Sequence, residues 1–209
     1  MTTQSVLELL QDNLVVPVVV VDDSAVAIDL VAALKAGGIS CAEITLRTPA
    51  GIASIAAVAE IPDFVVGAGT VLNAAQVDEC ADAGARFVVS PGFDDEVVER
   101  AQGRGLAVIP GIATATELQR AAKAGLKAVK FFPADRLGGL PAIAALAGPF
   151  PEMKFMPSGG VTLENFASYL EHPAVFAVGG SWMVPRAALA AGDFGRIRQL
   201  SAEAIELLP

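Results

Sequence analysis

Apolar residues in this chain come in short runs separated by amphipathic, alanine-rich stretches. Eight such runs are present: 15–21, 41–47, 64–70, 87–91, 106–112, 128–133, 154–159 and 175–180. Their starts lie 19 to 26 residues apart, about what a short strand, a three-turn helix and two tight loops consume. Eight strand–helix units in one α/β domain predict a closed (β/α)8 TIM barrel. A doubly wound sheet, the competing architecture, ordinarily carries about five or six strands and would leave two units unplaced.

Glycine placement agrees with this polarity. Gly38, Gly84, Gly105 and Gly125 each stand between a helical stretch and the next strand, where a left-handed C-cap turns the chain back. Asp22-Asp23-Ser24 and Thr162-Leu163-Glu164 carry cap signals at the opposite helix ends. An extra helix over Ser5–Gln11 precedes the first strand and is expected to cover the barrel's bottom. No linker or composition shift divides the chain, so residues 1–209 read as one domain.

Composition narrows the class. Hydrophobic residues make up 54% and charged residues 18%, as expected of strands covered on both faces by helices. The apolar runs are far shorter than the roughly 18–20 residues of a membrane-spanning helix. The start, Met1-Thr2-Thr3-Gln4-Ser5, lacks the pattern of a signal peptide, so the expectation is a cytoplasmic protein without a membrane partner. A net charge of −9 argues against nucleic acid, and any anion must be held by local donors rather than by the overall field.

Two cysteines, Cys41 and Cys80, read as small buried hydrophobes, and His172 is the only histidine. A cysteine nucleophile paired with histidine, or a zinc site, therefore has little to be built from. A carboxylate magnesium site stays open on these grounds.

Active-site candidates belong at the carboxyl ends of the strands. In the run 41–47, Glu43, Thr45 and Arg47 share one face and the apolar Ile44 and Leu46 the other, which points the polar three into the barrel. Such a face is costly unless its members pair or bind a ligand; a structural Glu–Arg pair is the competing reading. Lys130 lies within Ala128-Val129-Lys130-Phe131-Phe132-Pro133 and shares parity with Phe132. Burial disfavours an ammonium, and a free amine at a barrel mouth traps carbonyls. Outward snorkelling of Lys130 is the alternative. Gly159-Gly160 and Gly179-Gly180, each at the end of one of the last two strands, suggest a phosphate cradle, with Ser181 adding a hydroxyl. Thr70, after Gly67-Ala68-Gly69, is placed either to donate to a carboxylate or to bond backbone.

These motifs together resemble the bacterial 2-keto-3-deoxy-6-phosphogluconate (KDPG) and 4-hydroxy-2-oxoglutarate (KHG) aldolase family. The resemblance runs through Val16–Val20, Glu43–Arg47, Val66–Asn73, Ser90–Gly92, Ile109–Ile112, Val129–Ala134, Pro157–Gly160 and Gly179–Trp182. Ser158 stands where many relatives have threonine, and Ala113-Thr114 also departs from the usual pattern. The resemblance implies a class I aldolase without metal or other cofactor. Lys130 would be the Schiff-base nucleophile and Glu43 the general acid/base. Arg47 and Thr70 would hold the carboxylate, while Pro91 and Phe132 shape the wall around the reacting carbons. Ser158, Gly159, Gly160, Gly180 and Ser181 would line the phosphate end. The implied partners are pyruvate and a phosphorylated 2-keto acid, and the implied assembly is a homotrimer. The galactonate epimer of the substrate remains an alternative, as does a non-catalytic sugar-phosphate-binding barrel. A phosphate-binding epimerase or synthase would not need the buried lysine.

Overall fold

The computed structural model describes residues 2–209. Nine parallel strands form: β1 (Val15–Val19), β2 (Cys41–Thr45), β3 (Val65–Gly69), β4 (Phe87–Val89), β5 (Ala107–Ile109), β6 (Gly111–Ile112), β7 (Ala128–Phe131), β8 (Lys154–Pro157) and β9 (Val178–Gly180). Their ladders make a curled six-stranded sheet, ordered β5-β4-β3-β2-β1-β9, and a three-stranded sheet, ordered β6-β7-β8. The architecture is α/β with parallel curled sheets. One predicted strand, 106–112, is thus divided into β5 and β6. The residue between them is Pro110, which has no N–H to give to a ladder, while its carbonyl still accepts from Lys130 N–H at 2.9 Å. The last predicted strand is also shorter than its apolar run. Only Val178–Gly180 forms a strand, and Val175 makes a single parallel bridge to Phe155.

Ten α-helices accompany the strands among the described residues. The first is α1 (Thr3–Asn13), capped by Thr2. The others are α2 (Ala27–Ala36), α3 (Gly51–Val58), α4 (Ala74–Asp82), α5 (Asp95–Gly103), α6 (Ala115–Lys123), α7 (Gly139–Ala147), α8 (Phe166–Leu170), α9 (Arg186–Ala190) and α10 (Phe194–Glu206). Thr114 and Glu117 form a reciprocal capping box at the start of α6. Gly38, Gly84, Gly105 and Gly125 all adopt the positive φ expected where a helix turns back. Helix α1 lies at the amino ends of the strands, as expected. Its Asn13 Oδ1 accepts from Ser40 N–H at 2.9 Å just before β2, and Val6 and Leu10 are buried.

The core is dominated by valine and alanine, with Phe87, Phe131, Phe155 and Phe166 fully buried. Each such side chain contributes about 1.5–3 kcal/mol by leaving water. Small residues let the elements approach: a Cβ at Gly37, at the end of α2, would lie 2.4 Å from Cβ of Ser201 on α10. Cys41 and Cys80 are buried, and burial pushes both thiols up to about 12, so they are poor nucleophiles as well as unpaired. No helix is long and apolar enough to cross a membrane among the described residues.

Candidate active site

Two charged side chains meet inside this apolar frame. Lys130, on β7, and Glu43, on β2, are 4% and 0% exposed, and Lys130 Nζ donates to Glu43 Oε1 at 3.3 Å. The contact spans 87 residues of sequence and joins the three-stranded sheet to the six-stranded one. Glycines make the space. In the ladders Glu43 pairs with Gly67 and Lys130 with Gly111, and a Cβ at Gly69 would lie only 2.1 Å from Glu43 Oε1. Glu43 Oε2 is buried without a hydrogen-bond partner, leaving a desolvated acceptor beside the amine. Lys130 Nζ also lies 5.3 Å from the centroid of the Phe132 ring, which shares its strand parity. A buried ion pair contributes little net stability relative to apolar packing, so the pair needs a reason other than folding.

A cavity of about 380 Å³ opens among residues just beyond the strands' carboxyl ends. Its wall contains Arg47, Phe132, Ser158, Gly159, Gly160, Gly180 and Ser181 from the sequence-expected set. Lys130 and Glu43 are buried and are not part of that wall; Phe132 connects the amine to it. Thr70 reaches the cavity through Arg47, whose Nε donates to Thr70 Oγ1 at 3.3 Å. Thr70 has φ 58°, an uncommon left-handed conformation for a β-branched residue at a strand end. Pro91 is exposed beyond β4 and touches the site indirectly. A Cβ at Gly111, the ladder partner of Lys130, would lie 2.1 Å from its carbonyl oxygen. Thr45, expected to face inward with Glu43, is fully buried, and its hydroxyl donates to Val19 O at 2.9 Å.

The glycine end is built for close approach. Gly159 and Gly160 have φ of +86° and +83°, and a Cβ at Gly160 would lie 2.2 Å from Cβ of Asp135. Among the described residues none accepts a hydrogen bond from the N–H of Gly159, Gly160 or Ser181. Consecutive free donors of this kind suit an anion. Ser158 Oγ would lie 3.0 Å from a Cβ at Gly179, and Ser158 bridges that glycine in parallel fashion. Sequence reasoning missed Arg186 in the cavity wall and its partner Asp22. Of the two aspartates read as a cap, Asp23 does cap the turn at Ser24–Val26, whereas Asp22 pairs with Arg186. Among the described residues no three His, Cys, Asp or Glu side chains gather as metal ligands would.

Comparison with known proteins gives a consistent result. The aldolase family described as KDPG and KHG aldolase matches residues 6–200. The chain is 46% identical over 205 residues to the 2-dehydro-3-deoxy-phosphogluconate aldolase of Treponema pallidum, covering 98% of both chains. Its fold is similar to that of a KDPG aldolase from Legionella pneumophila solved with pyruvate captured as a covalent carbinolamine. The TM-score is 0.91 and the identity 38%, with 95% of this chain and 97% of that one covered. It is also similar to the Zymomonas mobilis 2-keto-3-deoxy-6-phosphogluconate aldolase solved with 3-phosphoglycerate, at a TM-score of 0.88 and 42% identity, covering 97% of this chain and 94% of that one. On the family match and these identities, the chain belongs to the KDPG and KHG aldolase family.

Proposed function

We propose that the protein is a class I aldolase that cleaves KDPG to pyruvate and glyceraldehyde 3-phosphate through a Schiff base on Lys130. It also cleaves KHG to pyruvate and glyoxylate. The observation that carries this reading is the buried contact of 3.3 Å between Lys130 Nζ and Glu43 Oε1 beside a cavity with a free N–H cradle. Family membership and the pyruvate carbinolamine of the Legionella relative support it.

In the cleavage direction Lys130 passes a proton across the 3.3 Å contact to Glu43, and the lone pair so freed adds to C2 of the 2-keto acid, giving a carbinolamine. Glu43 lies within proton-transfer reach of the amine and helps the C2 hydroxyl leave as water, which forms the iminium. The Glu43 carboxylate, with Oε2 unpartnered, then takes the proton of the C4 hydroxyl. As the C3–C4 bond breaks, its electron pair moves toward the iminium nitrogen and forms an enamine, while C4 becomes the aldehyde carbon of the leaving product. A proton adds to C3, water adds to C2, and expulsion of the amine releases pyruvate and restores Lys130.

Arg47 and Thr70 hold the substrate carboxylate, a role suited to a guanidinium's paired donors. Pro91 and Phe132 shape the wall, and Ser158, Gly159, Gly160, Gly180 and Ser181 form the phosphate end. The 3-phosphoglycerate complex of the Zymomonas relative is consistent with an anion there. Pyruvate release from KDPG and KHG tests the reading. Glu43→Gln is expected to lower kcat by about 10²–10⁴ while changing pyruvate binding little. Activity abolished by a chelator, or no pyruvate from either substrate, would contradict it.

We further propose that the two sheets close into an eight-unit (β/α)8 barrel. The parallel bridges Phe155–Val175 and Ser158–Gly179 support closure on one side, and the continuous chain through Pro110 supports it on the other. Family membership supports assembly as a homotrimer.

A further inference from the structure

The proposed mechanism leaves one cation of the cavity without a task. The wall contains two, Arg47 and Arg186. Arg47 belongs with Thr70 at the proposed carboxylate end, whereas Arg186 lies five residues beyond Ser181, on the side of the glycine pairs. The segment between them is anchored: Met183 and Val184 are 0% and 4% exposed, and Val184 N–H donates to Ser181 O at 3.1 Å. Asp22 grips the guanidinium from the end of the first strand run, accepting from Nε at 2.9 Å and from Nη2 at 2.6 Å. A guanidinium has five N–H donors, so this grip leaves three. It also fixes the plane in which those three point. A chain of net charge −9 offers no attractive field to a substrate bearing both a carboxylate and a phosphate, and backbone N–H groups alone carry only partial charge.

We infer that Arg186 is a phosphate-binding residue of this site, oriented by Asp22, and that it biases the enzyme toward phosphorylated over unphosphorylated 2-keto acids. The inference rests on the aldolase reading above. Arg186 is about two-thirds exposed, its side chain at 65%, so it meets the phosphate at the cavity rim and pays little desolvation cost beforehand.

Steady-state kinetics of Arg186→Ala on KDPG and KHG test it. The ratio of KM for KDPG to KM for KHG is expected to rise about tenfold, and competitive inhibition of KDPG cleavage by inorganic phosphate to weaken by a similar factor. The double variant D22N/R186Q removes opposite charges together and keeps the net charge at −9. It is expected to show the same losses. If D22N/R186Q instead returns to wild-type values, the effect in R186A comes from the unpaired Asp22 carboxylate repelling substrate, and the inference is wrong. Unchanged KM ratio and phosphate inhibition in R186A overturn it too. Failure of the wild type to trap pyruvate on borohydride reduction would overturn the aldolase reading itself, a separate outcome.

Discussion

Glu43 owes its position to an atom that is missing. Alanine at Gly69 would put a Cβ 2.1 Å from Oε1 and 2.5 Å from Cγ of a carboxylate that is fully buried and has little room to retreat. Gly69→Ala is therefore expected to lower kcat by about 10²-fold, the cost of misplacing a reacting group by roughly an ångström. Gly67→Ala makes the contrast. Its Cβ would lie 2.4 Å from the Phe87 ring, so it is expected to cost about 1–3 kcal/mol of stability through overpacking while sparing the carboxylate. Thermal melts and kinetics of the two variants separate the effects; equal kcat losses would contradict the account. At this scale the sequence was informative about side chains whose setting is local. An amine inside an apolar run exposes Lys130, and strand parity exposes Glu43. It was silent about the pairing of Asp22 with Arg186, because 164 residues separate them and the local cap pattern accounts for Asp22 without it. Thr45 shows the limit of parity, which predicts the side but not that the hydroxyl is spent on Val19 O.

Between elements, ionic contacts add to the apolar packing. Asp78 on α4 accepts from Arg100 on α5 at 2.8 Å and from Arg104, just after α5, at 2.6 Å. Hydrogen bonds from Arg100 first, then Arg104, hold the Asp78 carboxyl below its ordinary value of 3.8. A depressed carboxyl binds fewer protons folded than unfolded, so its stabilisation is present above 3.8 and is lost as the pH falls through the folded value. Asp78→Asn is expected to lower Tm at neutral pH, with the difference shrinking in about 1 M salt, where screening is strong. A Tm gap that persists at high salt or in strong acid would contradict the electrostatic origin. Element order was readable from apolar periodicity and glycine caps, whereas element ends were not. The expected runs extend past the ends of β2, β4 and β7 at Leu46, Pro91 and Phe132, although Leu46 and Phe132 still donate to Gly69 O and Ile112 O of the neighbouring strands. Pro110 divides a run whose hydrophobicity is unbroken, because hydrogen-bond capacity and hydropathy are different properties.

At the scale of the whole molecule, the Lys130–Glu43 contact links two sheets, so the proposed chemistry depends on their mutual position. The proposed homotrimer is checked by light scattering, where three times the 21.3 kDa chain mass is expected and a monomeric mass would contradict it. The alternation of strands and helices was legible because each unit repeats the same apolar period, while the arrangement in a six-stranded and a three-stranded sheet depends on pairing that no single run encodes. Schiff-base formation remains the central claim. Borohydride reduction in the presence of pyruvate, followed by peptide mass spectrometry, should place a stable adduct on Lys130; native protein with no adduct there, or with one on another lysine, would contradict the account.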